Sequence, residues 1–378
     1  MTTTLRITNP VHGDILNRHD GTARAEGLVV AIEGSCPAEA GVSVSVEGAP
    51  GVNQQARSRV QVDATVRGDC FEAQVPLQDR HNRITARGAG QQASIEVLWD
   101  RDSYPRCRFS IDDNILFLKD LARGDYTSVF DHWYLAFWKS LHERYGAKFH
   151  FNIYYQTDAS VFGGRPFRLP EMPDRFRAEW TANADWLRLT FHAWQNKPDH
   201  PYQSSTYEQM THDYEWVTQE IERFAGPDLI SSFTTVHWAD ASRESVRALR
   251  DRGVTGLKGR FARNRGRVPE TRYYLDEALA DHIGGRDYWW DPSIDMRFVA
   301  CEAVVNNLAV SEVVPRLEQV SANPHTGEVI ELTIHEQYFR PELSLYQADV
   351  QQKVIAAISW LSEHGYAPVF WDEGFLGA

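Results

Sequence analysis

The chain has 378 residues, enough for one large domain plus a small one, and 42% of them are hydrophobic, which supplies a core and argues against disorder. A formal net charge of −13 and the lack of any useful basic run exclude nucleic acid and anionic membrane surfaces as partners. No stretch of about 18 apolar residues occurs, so no transmembrane helix or membrane insertion is expected.

The opening Met1-Thr2-Thr3-Thr4-Leu5-Arg6 has no basic start followed by an apolar core. As written it reads as cytoplasmic, and as exported or periplasmic if a leader was trimmed. Four cysteines, Cys36, Cys70, Cys107 and Cys301, form no CxxC pair, against a zinc knuckle. Cys36 and Cys70 fall in one β-rich region, where a disulfide or two free thiols are both open.

Residues 1–102 read as an all-β accessory domain. Short alternating segments at 27–32, 42–46, 71–75 and 93–98 are separated by glycines and polar residues, the pattern of a small immunoglobulin-like β-sandwich. From 103 to 378 the rhythm changes to α/β. Strands are expected at 107–111, 147–154, 186–191, 229–237, 254–258 and 330–335. Helices are expected at 129–145, 209–224, 242–251 and 344–363. The last would turn Val350, Val354, Ile358 and Leu361 to one side. The stretch 260–300, rich in Arg, Tyr, Trp and Asp, reads as a long irregular loop over the mouth of a parallel barrel.

The chemistry concentrates at strand ends. Phe109-Ser110-Ile111-Asp112-Asp113 closes on two adjacent carboxylates, which oppose each other's ionisation and call for a compensating cation. His192, His237 and His335 each close a further apolar run. In an α/β barrel the C-terminal strand ends share one mouth. An Asp-His-His set with one place left for water is a usual zinc arrangement.

Ser110-Ile111-Asp112-Asp113 resembles the T-F-D-D motif of the polysaccharide deacetylase superfamily, also called the NodB-homology or carbohydrate esterase family 4 group. Leu332-Thr333-Ile334-His335 resembles its L-x-x-H motif. The H-S/T-x-x-H motif is kept only at His192, with Asn196 in place of the second histidine. The resemblance covers about 270 residues and implies a distorted (β/α)7–8 barrel around a divalent metal, most often zinc. It implies Asp112 as catalytic base, Asp113 and His192 as metal ligands and His335 as general acid. His237 is inferred to replace the missing ligand.

The function expected is a metal-dependent carbohydrate deacetylase-like hydrolase that removes an N- or O-acetyl group from a saccharide or polysaccharide. The alternatives are a metal-dependent lyase or epimerase on a uronate-containing sugar, and a non-catalytic carbohydrate-binding protein. A homo-oligomer is compatible with each. Tyr154, Trp194, Trp238 and Trp371 are candidates to stack on a sugar, and Lys258 and Arg260 to meet a substrate carboxylate. Asp295, Arg297 and Glu336 are candidates to line the site, and Asp372-Glu373 to cap a loop or line the mouth.

Overall fold

A computed structural model describes residues 4–38, 40–48, 59–261 and 272–374. The chain divides into two compact units, Met1–Ser103 with Tyr288–Ser293, and Tyr104–Asp287 with Ile294–Gly374. Among the described residues no helix is long and apolar enough to cross a membrane.

The first unit is β-rich. One five-stranded sheet runs Arg6–Asn9, Gly27–Ser35, Cys70–Leu77, Thr65–Arg67, with Gly21–Arg24 also beside Gly27–Ser35. The other runs Ile15–Leu16, Gln91–Trp99, His81–Gly88, Val42–Gly48, Val60–Asp63. Alternation decides which face is buried: Leu28, Val30 and Ile32 point inward from one sheet, and Val44, Ile84, Ala86 and Val97 join the same core from the other. Cys36 and Cys70 are both free thiols.

The second unit is mixed α/β with parallel strands. Its main sheet runs Leu187–Ala193, Phe149–Tyr154, Arg106–Asn114, Val329–His335, Ala303–Val304, with Ala367–Pro368 beside the start of Arg106–Asn114. A smaller parallel set runs Phe233–Thr234, Gly256–Gly259, Met296–Ala300. The two sets meet at both ends. A parallel bridge links Leu189 to Ile230, while Cys301 donates to the Gly259 carbonyl and Glu302 to the Glu331 carbonyl, each at 2.9 Å.

Every residue of Arg106–Asn114 is buried, as both faces of a helix-covered parallel sheet must be. Its two faces nevertheless differ. Phe109 packs under the helix Trp133–Tyr145, its ring 5.8 Å from Trp138. The alternate residues Arg108, Ser110 and Asp112 are in register with Glu331, Thr333 and His335. Lys258 reaches this polar face from the smaller sheet, bonding both Ser110 and Thr333. A ladder of paired polar groups therefore rises between the sheets and ends at Asp112 and His335.

Several expectations need correction. The strand expected at 229–237 is reduced to Phe233–Thr234, because Pro227–Leu229 and His237–Ala239 are 3-10 turns. The stretch 260–300 is not one irregular loop: it contains the helix Glu277–Ile283 and the strand Met296–Ala300, while 262–271 lie outside the described residues. The last long helix starts only at Val350, after a run of turns. Helices Leu116–Arg123 and Val310–Ser321 were not anticipated. Gly146 does end its helix, in the left-handed conformation with φ of 67°.

Candidate metal centre

Asp113 and His192 are aimed by irregularities in otherwise regular strands. Between Ile111 and Asn114 the Arg106–Asn114 strand carries one residue more than its neighbour, and Asp113 takes a φ of 63°. Without that bulge Asp112 and Asp113 would face opposite sides of the sheet. Asn114 stabilises it by donating its side-chain amide to the Ile111 carbonyl at 2.5 Å. A second extra residue sits between Phe191 and Ala193, and it is His192. His237 comes from the turn after Phe233–Thr234, where Trp238 adopts a φ of 66°.

These three side chains are buried and converge. Asp113 Oδ1 lies 3.0 Å from His192 Nε2 and 3.3 Å from His237 Nδ1, and the two nitrogens are 3.2 Å apart. The outer nitrogens settle the tautomers. His192 Nδ1 faces the Thr235 carbonyl at 2.5 Å, and His237 Nε2 faces the Asn196 carbonyl at 3.0 Å. A carbonyl only accepts, so both outer nitrogens carry the proton. In its neutral form each imidazole would turn a bare lone pair at a carboxylate oxygen. Only a cation between them, proton or metal ion, makes that favourable. A donor set of two imidazoles and one carboxylate, each imidazole oriented by a carbonyl, fits a divalent metal.

Asp113 Oδ2 accepts from Gln337 Nε2 at 2.7 Å, and Tyr154 donates its hydroxyl to Asp113 Oδ1. Burial opposes the charge on Asp113, but hydrogen bonds donated by His192 and His237 in their cationic form hold its carboxyl well below the usual range. Burial and the neighbouring Asp113 charge push the Tyr154 phenol up.

Asp112 is bound differently. Its Oδ2 is 2.9 Å from Lys258 Nζ, and its Oδ1 accepts from Ser110 at 3.0 Å and from Asn152. Burial would raise its pKa, but the Lys258 ammonium, helped by His192 and His335, brings it down to about 2. His335 Nδ1 is 2.9 Å from Asn306 Oδ1. Asn306 spends its own amide protons on Asn307, so this oxygen accepts and His335 Nδ1 donates. His335 Nε2 is thereby left for the site. Burial is the main influence lowering the pKa of His335, with Asp113 and Asp112 opposing it.

A cavity of about 450 Å³ opens over these groups. Of the sequence candidates, it is lined by Asp112, Asp113, His192, His237, His335, Lys258, Arg260 and Trp238. Lys258 turns its charge to Asp112, which neutralises it. Trp238 is 43% exposed and stacks on His200 at 4.6 Å.

The structure does not bring the other candidates into the cavity. Tyr154 is buried behind the metal donors rather than presented to a sugar. Trp194 stacks on Tyr155, and Trp371 is buried with its indole N–H on Glu331. Asp295 is taken up by Arg250 and lies 3.7 Å from Arg297. Glu336 is buried and accepts from the backbone N–H groups of Ile115, Leu116 and Phe117. Glu373 pairs with Lys148. Asn152, Asn306 and Gln337 are the contacts the sequence reading missed, and Tyr154, read as a sugar-stacking residue, instead bonds Asp113. Asn152 and Tyr154 alternate with apolar residues along the buried strand Phe149–Tyr154, whereas Asn306 and Gln337 lie in 3-10 turns that carry no such signal.

No protein-family model matches the chain, and no curated protein matches it. Among solved structures, a CE4 family pseudoenzyme from Bacillus anthracis aligns at 10% identity and TM-score 0.30, over 70% of this chain and 63% of its own. A mutant of that protein with restored enzymatic activity aligns at 12% identity and TM-score 0.29, over 70% and 65%. A Mycobacterium smegmatis protein named for polysaccharide deacetylase aligns at 11% identity and TM-score 0.35, over 69% and 90%. The chain thus spans less than two thirds of the length of the Bacillus anthracis protein. At similarities this low the site stands on its own geometry.

Proposed function

We propose that the chain is a metal-dependent carbohydrate-active hydrolase that removes an acetyl group from a saccharide, on a parallel α/β barrel preceded by a β-sandwich. The observation that carries it is the convergence of three metal donors, Asp113, His192 and His237, with Asp112 and His335 on one cavity. A divalent ion held there, zinc being the usual choice for such donors, supplies an activated water and polarises an acyl oxygen.

The remaining steps belong to the protein's own groups. Lys258 keeps Asp112 ionised, the form that can accept a proton from the attacking water. Asn306 holds His335 with Nε2 toward the cavity, and the protonated Nε2 delivers a proton to the departing amine or alkoxide. Trp238 offers an exposed ring face at the mouth for the sugar. Metal analysis of the purified protein, followed by an acetate-release screen on N- and O-acetylated sugars, tests this reading. Metal bound with acetate released supports it. Metal bound with no acetate released, but with new absorbance from an unsaturated uronate, would replace it with a lyase.

A further inference from the structure

Tyr154 ends the strand Phe149–Tyr154 and is fully buried. Its ring packs against both ligand imidazoles, at centroid distances of 5.1 Å to His192 and 5.3 Å to His237. The hydroxyl oxygen lies 3.0 Å from His237 Nδ1 and bonds Asp113 Oδ1. Asn196 Nδ2 donates to the same oxygen at 3.3 Å, fixing it from the other side. Three donor atoms therefore crowd one point, Asp113 Oδ1, His192 Nε2 and His237 Nδ1, and Tyr154 Oη contacts the first and the last of them. A tetrahedral ion with bonds of about 2.0–2.1 Å spaces its donors by roughly 3.3 Å. The separations of 3.0, 3.2 and 3.3 Å within the Asp-His-His set are close to that spacing, whereas Tyr154 Oη stands nearer to Asp113 Oδ1 than that and would have to draw back from it on coordination.

We propose that the phenolic oxygen of Tyr154 is a fourth protein ligand to the metal held by Asp113, His192 and His237. This rests on the reading of that set as a metal site. Tyr154 approaches from the protein wall and is absent from the cavity lining, whereas the other three donors line it. Four protein donors fill a tetrahedral shell, so a water or substrate oxygen would enter from the cavity side as a fifth ligand. On coordination the O–H bond breaks, the metal–oxygen bond forms, and the proton passes to solvent, as is general for protonated ligands. The resulting donor set has two nitrogens and two oxygens, one of them a phenolate, a set that also suits ferric iron.

The test uses the full chain, stripped of metal and reloaded with zinc, cobalt(II) or iron(III). Iron(III) protein is expected to show a visible tyrosinate-to-iron charge-transfer band, lost in Tyr154→Phe. Zinc affinity of the variant, measured by chelator competition, is expected to fall at least about tenfold. Zinc titration of the unaltered chain should also give the ultraviolet difference band of an ionised tyrosine, which needs no variant to fold. Metal bound with neither band, or Tyr154→Phe with wild-type spectrum and affinity, would overturn the proposal and leave the hydrolase reading intact. Both bands with no acetate released would sink the reaction and leave Tyr154 as a ligand.

Discussion

Asp112 and Lys258 form a buried ion pair, with Nζ 2.9 Å from Oδ2 and side chains only 7% and 4% exposed. Two charges out of water stabilise little as a pair, but removing one strands the other. Lys258→Met is therefore expected to destabilise the fold by about 3–5 kcal/mol. Adding Asp112→Asn to it should recover part of that loss. Chemical denaturation of the two single variants and the double variant measures this. A Lys258→Met protein as stable as wild type would show that the pair is dispensable.

The same pair separates chemistry from metal binding. Asp112→Asn removes a proton acceptor but none of the three donors, so metal content should persist while turnover falls by roughly 100-fold or more. His335→Ala should likewise keep fold and metal and lose acetate release. Metal analysis beside the rate decides the assignment, since loss of metal in Asp112→Asn would make Asp112 a ligand instead.

His237→Ala should empty the site. Two donors and a phenol remain, and the carbonyl of Asn196 loses its imidazole partner. The expected result is sub-stoichiometric metal after dialysis and loss of the thermal stabilisation that metal gives the wild type. That stabilisation is about 2.7 kcal/mol when free metal is 100 times its Kd. A His237→Ala protein that retains full metal content would remove His237 from the ligand set.

The Asp-Asp pair and the three histidines were legible because each closes an apolar run, and all five line one cavity. How the two carboxylates share that cavity was not legible. One extra residue in the strand does it, and a bulge leaves no mark in hydrophobic alternation. That Asn196 stands where the resembled motif has a histidine was visible, but not that its backbone carbonyl faces His237 Nε2. Single aromatic and charged residues were the weakest guides. Trp371, Asp295 and Glu336 have sequence neighbourhoods like those of site residues, yet their partners lie dozens to hundreds of positions away. Such pairings are decided by tertiary packing.

Glu302 gives the unit a pH dependence separate from the metal. It is buried, its nearest cation is Arg316 Nη2 at 3.8 Å, and burial pushes its carboxyl up to about 8 against the opposing Arg316 charge. Between the ordinary carboxylate range and pH 8 the folded protein holds a proton that the unfolded chain has released. Glu302's contribution to stability is therefore full below about pH 4 and falls as pH rises toward 8, where ionisation of the buried acid completes the loss. Glu302→Gln should flatten that slope. Denaturation midpoints of both proteins across this window test it, and parallel curves would count against Glu302 as the source.

Glu336 ties the metal strand to the strand of His335. It accepts from the N–H groups of Ile115, Leu116 and Phe117 at 2.9, 2.9 and 2.7 Å, which cap the start of helix Leu116–Arg123. It also receives Arg340, whose Nη2 lies 2.5 Å from Oε1. That helix begins three residues after Asp113, so its anchoring helps set where the carboxylate points. Glu336→Ala leaves a buried guanidinium with its Asp120 and more distant Glu342 contacts and three amide donors without their acceptor. A loss of about 3–5 kcal/mol is expected, the scale for breaking a buried ion pair. Glu336→Gln keeps one acceptor oxygen but brings an NH2 group among those donors, so it should recover only part of the loss. Metal affinity should fall in both variants although neither touches a ligand. Denaturation and chelator competition on the same preparations decide it: wild-type metal affinity in a destabilised Glu336→Ala protein would confine Glu336 to the fold.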